Sequence, residues 1–153
     1  MFESVIDETE FEMDQIDRLF VSYAVLFDRV RQGQPDVIET TAVASVLHSF
    51  YNGLELIFLS IAKRLDRQVP TGERWHRQLL FQMMQSTVQR DSVISTELAQ
   101  QLDNYLAFRH FYRHSYSFFL DWSELEKLVT PLQSVWSQAK AELNMFLDHL
   151  RAI

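Results

Sequence analysis

Three glycines and three prolines in 153 residues leave this chain little material for tight turns. A many-stranded β protein needs a turn every eight to twelve residues or so, and Gly and Pro supply most of them. The chain is therefore expected to form a few long helices joined by short connections. Its length suits one domain, residues 1–153, able to bury roughly two-thirds of its unfolded surface unaided.

Periodicity agrees. Ile6, Thr9, Met13, Ile16, Phe20, Tyr23, Phe27 and Val30 recur at steps of three and four and predict one long amphipathic helix, with Thr9 and Glu12 as a candidate capping box. Gln32-Gly33-Gln34-Pro35-Asp36 ends it. A strongly apolar second helix is expected from about Val37 to Leu65, and a shorter third from about Glu73 to Gln89. A fourth is expected from about Thr96 to Phe119, and a last one starts at Asp121 or Ser123, with Pro131 set to kink or split it. No alternating pattern of strand length and no internal repeat is found. The fold class is all-α: an antiparallel helical bundle of four long helices plus a short one.

The chain has no cysteine, which excludes disulfides, thiol chemistry and Cys-based zinc sites. Met1 is followed by acids, unlike a secretory leader, and the most apolar run, Leu54–Ala62, is too short to span a bilayer. A soluble cytoplasmic protein without membrane association is expected. The formal charge of −7 is local: residues 1–17 carry seven acids and no Lys or Arg, so the rest is neutral. Residues 63–116 hold eight bases against five acids, so the total charge does not exclude an anionic partner. The acidic end is expected to face away from such a partner, or to dock a basic protein surface.

Two groups of polar residues fit a plain bundle poorly. Ser45, His48, Asn52 and Glu55 form a stripe on the second helix, either as its outer face or as a buried row in which each member needs a partner. On the fourth helix, at about 100° per residue, Arg109, Arg113, Ser117, His110, His114 and Tyr116 share one arc of about 160°, with Phe111, Phe118 and Phe119 opposite. Two guanidiniums, two imidazoles, a phenol and a hydroxyl suit phosphodiester chemistry. Arg binds the anion, and His moves a proton to or from a ribose hydroxyl without a metal or other cofactor. A metal on His110 and His114 is the alternative, opposed by the two arginines and the lack of a neighbouring carboxylate. A solvated basic face paired with acids elsewhere, such as the N-terminal cluster, is another.

Arg109-x4-His114-x-Tyr116 resembles the Arg-x4-His-x-Tyr signature of HepT-like ribonuclease toxins in the all-helical HEPN superfamily. The segments 47–55, 75–80 and 120–122 are also similar to a HepT-like subgroup, so the resemblance runs from about Thr41 to Trp122. It implies a metal-independent endoribonuclease, the toxin of a type VII HEPN/MNT toxin–antitoxin pair. The implied antitoxin is an MNT-type nucleotidyltransferase that silences the toxin by moving AMP onto the motif tyrosine. Arg109 and His114 are then catalytic and Tyr116 is the AMP acceptor. His110 keeps the polar character of the residue after the motif arginine, and Arg113, Asn52 and Glu55 are supporting residues. The resemblance further implies a homodimer whose two motif helices form one composite site for RNA. Two other classes remain open: a bundle that binds nucleotide or RNA without cleaving it, and a structural partner protein whose arginines pair with acids.

Overall fold

A computed structural model describes residues 2–114, 116 and 120–153. Its elements are α1 (Glu3–Ser22), α2 (Ala24–Gln32), α3 (Val37–Ile61), a π-helical turn (Ala62–Asp66), α4 (Trp75–Met84), α5 (Thr96–Arg113), α6 (Trp122–Val129) and α7 (Leu132–Arg151). The all-α bundle expected from the sequence is found, and among the described residues there is no strand.

The first expected helix is two. It breaks at Tyr23, which leaves Phe27 as the one buried residue of α2. The helix starts at Glu3, so Thr9 caps nothing and is instead fully buried; Val5, Thr9, Met13 and Ile16 form the inner face, with Ile6 at its margin. Asp36 and Glu39 form a reciprocal capping box at the start of α3. The last expected helix starts from the Asp121 cap and splits before Pro131, where the ring cannot continue the hydrogen-bond ladder.

Helix α3 is the axis of the bundle. Phe50, Leu54, Ile57, Phe58 and Ile61 are wholly buried on it. By length and composition Val37–Asp66 could cross a membrane, which the shorter run Leu54–Ala62 did not suggest; 61% of its most apolar window is buried inside the bundle. Helix α1 runs against it, with Glu8 bonded to Ser60 and Arg64 and Ile16 lying over Gly53. A Cβ on Gly53 would come within 2.9 Å of Ile16 Cγ1, so the close approach of α1 and α3 depends on this glycine.

Helix α5 also runs against α3, since His48 meets Tyr112 while Glu55 meets Arg109. Helix α4 runs in the same sense as α3, with Glu55 on His76 and Asp66 on Gln82. It is shorter than expected because the following segment folds around a buried cation. Arg90 bonds to both oxygens of Asp66 (2.7 and 2.8 Å) and to the carbonyls of Gln82, Gln85 and Asp91.

The Arg90 and Asp66 side chains are 0% and 5% exposed, so removing the carboxylate strands a buried charge. Asp66→Ala is expected to lower stability by about 3–5 kcal/mol in urea unfolding. A loss below about 1 kcal/mol would show that the three carbonyls hold Arg90 unaided.

Candidate functional site

Three polar side chains, two of them buried, face inward from three different helices. Glu55 follows Tyr51 and precedes Phe58 on the inner face of α3. Arg109 follows Leu102, Tyr105 and Leu106 at the same helical spacing on α5. His76 precedes Leu79, Leu80 and Met83, which seat α4 on the core. Each side chain is thus carried inward by the apolar residues around it, and the three meet.

The Glu55 carboxylate is their common partner. One oxygen lies 2.7 Å from His76 Nδ1 and the other 3.3 Å from an Arg109 Nη. Glu55 is 4% exposed and Arg109 8%. The Arg109 Nε is buried without a hydrogen-bond partner, so the protein does not use all of this guanidinium's donors. Trp75 packs on the His76 ring with centroids 3.6 Å apart.

Above this network lies an open groove of about 510 Å³ lined by Glu73, Arg74, His76, Arg77, Leu106, Ala107, Arg109, His110, Arg113 and His114. Four guanidiniums and three imidazoles face a single acid. Arg77 is paired with Asp103 and Arg109 with Glu55, whereas Arg74 and Arg113 have no ion-pair partner among the described residues. The His110 and His114 rings pack on each other with centroids 4.7 Å apart. Among the described residues no three His, Cys, Asp or Glu side chains group as metal ligands would.

Four members of the expected arc, Arg109, His110, Arg113 and His114, therefore share one groove, although they are presented differently from the helical-wheel reading. Arg109 forms the floor instead of the solvated surface. Helix α5 ends at Arg113, short of the expected Phe119, and His114 is its non-helical cap (φ −116°, ψ 10°). The fully buried apolar stripe of α5 finishes at Phe108, and beyond it only Tyr112 packs partly on the core among the described residues of the helix. Tyr116 is 70% exposed and is not among the groove-lining residues. Ser117, Phe118 and Phe119 lie outside the described residues.

The α3 stripe divides. Asn52 is exposed and away from the groove, while Glu55 is buried with partners. His48 is half-buried against Tyr112 (ring centroids 5.0 Å), its Nε2 enclosed and unpaired. His76 was not singled out by sequence reasoning. Its signal was present, as a histidine at a core position three and four residues before Leu79 and Leu80.

Residues 42–150 match the model of a family described as HepT-like protein. Comparison with curated proteins and with solved structures finds no match.

Burial, reinforced by the cations of Arg109 and Arg113, holds the His48 imidazole below its ordinary value of 6.5. The unfolded chain therefore takes up a proton there before the folded one does. Stability contributed by neutral His48 is complete above about pH 6.5 and declines as pH falls toward the depressed value. His48→Gln is expected to flatten the dependence of the urea midpoint between about pH 7 and 5. Equal slopes for the two proteins would remove His48 as its source.

Proposed function

The chain belongs to the HepT-like family of the HEPN superfamily, a family associated with toxin-type ribonucleases, and we propose that its basic groove is the active centre of a metal-independent endoribonuclease. One observation carries this reading: Arg74, His76, Arg77, Arg109, His110, Arg113 and His114 gather around one groove against the single acid Glu73. Such a groove attracts a polyanion and brings groups able to exchange protons near neutrality beside groups that bind phosphate.

Cleavage requires two proton transfers and one displacement. The ribose O2′ loses its proton and attacks phosphorus, the P–O5′ bond breaks, and O5′ gains a proton. The products are a 2′,3′-cyclic phosphate and a 5′-hydroxyl. Arg109, held by Glu55 at the groove, stabilises charge on the phosphoryl oxygens in the transition state. His114, at the rim, carries one of the proton transfers. Two copies joined about a two-fold axis give the composite site expected of a homodimer.

The same reading makes Tyr116 the regulatory acceptor, acted on by an MNT-type nucleotidyltransferase antitoxin. Its exposure suits attack by the phenol oxygen on the α-phosphorus of ATP, with release of pyrophosphate and the phenol proton. The AMP phosphate then competes for the cations that bind RNA.

Purified protein is expected to cleave RNA in the presence of EDTA, and His114→Ala to lose roughly 100-fold or more of that rate. Undiminished cleavage by His114→Ala, or RNA retained by the wild type but left intact, defeats the nuclease reading. After incubation with ATP, magnesium and the cognate transferase, intact-mass measurement is expected to show added AMP. Tyr116→Phe should abolish the addition, and its persistence there would place the acceptor elsewhere.

A further inference from the structure

Transesterification of RNA needs one group to take the O2′ proton and another to supply a proton to O5′, and the Arg-x4-His motif offers each chain only one imidazole. A second is built into the groove. His76 Nδ1 lies 2.7 Å from Glu55 Oε2, and the ring also lines the groove. Among the described residues its Nε2 has no hydrogen-bond partner, and it is not among the enclosed unpaired atoms. The ring is held on its other side by Trp75.

The partners determine the tautomer. A carboxylate only accepts, so Nδ1 carries the hydrogen and donates it to Glu55. Arg109 Nη1, 3.4 Å from the same Nδ1, is also a donor, so the two groups face each other only because they share the Glu55 carboxylate. The neutral ring therefore presents the Nε2 lone pair to the groove. A buried carboxylate behind Nδ1 also stabilises the imidazolium that forms when Nε2 takes a proton, a role that a lone surface histidine lacks.

We infer that His76 is the general base of this groove, with Nε2 removing the O2′ proton and Glu55 positioning the ring; His114 is then left to protonate O5′. The inference rests on the ribonuclease reading and extends it to a residue outside the motif. Protons balance: one passes from O2′ to His76 and one from His114 to O5′, and water restores both rings.

Leaving-group chemistry tests it with wild type, His114→Ala, His76→Ala and His76→Asn on an RNA oligonucleotide and on uridine 3′-(4-nitrophenyl phosphate). Nitrophenolate departs without a proton, so the aryl ester needs a base but no acid. Both His76 variants are expected to fall by roughly 100- to 10,000-fold on both substrates. His114→Ala should fall as far on RNA but recover most of its rate on the aryl ester. His76→Asn offers Glu55 an amide N–H in place of the ring N–H, so loss of activity with an unfolding midpoint close to wild type separates catalysis from packing. A rate within about threefold of wild type in either His76 variant, with His114→Ala inactive, overturns the inference and leaves the nuclease reading standing. Aryl-ester recovery in a His76 variant instead of His114→Ala also overturns it. RNA left intact by the wild type fails the nuclease reading, and the base assignment with it.

Discussion

The Glu55 carboxylate is the constraint to which the rest of the site answers. A charge in the middle of an apolar helix is costly unless ionic and hydrogen-bonding partners surround it. Glu55 obtains one of each, from α5 and α4, and in doing so fixes how those helices lie against α3. Arg109 is stiffened by the same contact. A guanidinium with so little of its surface in water has few orientations open to it, so its place at the groove is set by the fold. The network is a source of specificity more than of net stability, since a hydrophobic trio of similar volume would pack at least as well.

Helical spacing and chain punctuation made the architecture legible. Gly33-Gln34-Pro35-Asp36 marks the turn into α3, and Pro131 divides the last helix. Less legible was anything that depended on which helix faces which. The arc shared by Arg109, His110, Arg113 and His114 does not reveal that Arg109 is buried, although Leu102, Tyr105 and Leu106 put it in register with the core. His76 was passed over for a related reason: its meaning comes from Glu55, twenty-one positions away, and no local pattern encodes that pairing. Asn52 shares a stripe with Glu55 yet is exposed, because the helices packed on α3 cover only part of that stripe. Helix α5 ends at Arg113, short of the expected Phe119, because aromatic spacing alone does not mark a helix end.

The acidic N-terminal segment is more structural than its charge suggested. Asp14 pairs within its own helix with Arg18. Glu8 is bonded to Arg64 beyond the end of α3, Glu10 to Arg151, and Asp17 to Lys140 and to the Trp136 indole. These contacts tie α1 to the π-helical turn after α3 and to α7. The bonds from Arg64 and Ser60 hold the Glu8 carboxyl below its ordinary range. Negative charge is therefore spent on joining helices at one side of the molecule while the α4–α5 groove gathers positive charge.

The opposed directions of α4 and α5 have an electrostatic consequence. Where they border the groove, the first residues of α4 meet the last turn of α5, so the positive end of one helix dipole lies beside the negative end of the other. The backbone contributions largely cancel, unlike a phosphate site built on a single helix N-terminus. Attraction for an anion then resides almost wholly in side chains: arginines, whose charge is permanent, and histidines, whose charge varies with pH. The groove's field can thus be weakened by a substitution, the loss of a proton or an added phosphate without disturbing the helices that frame it.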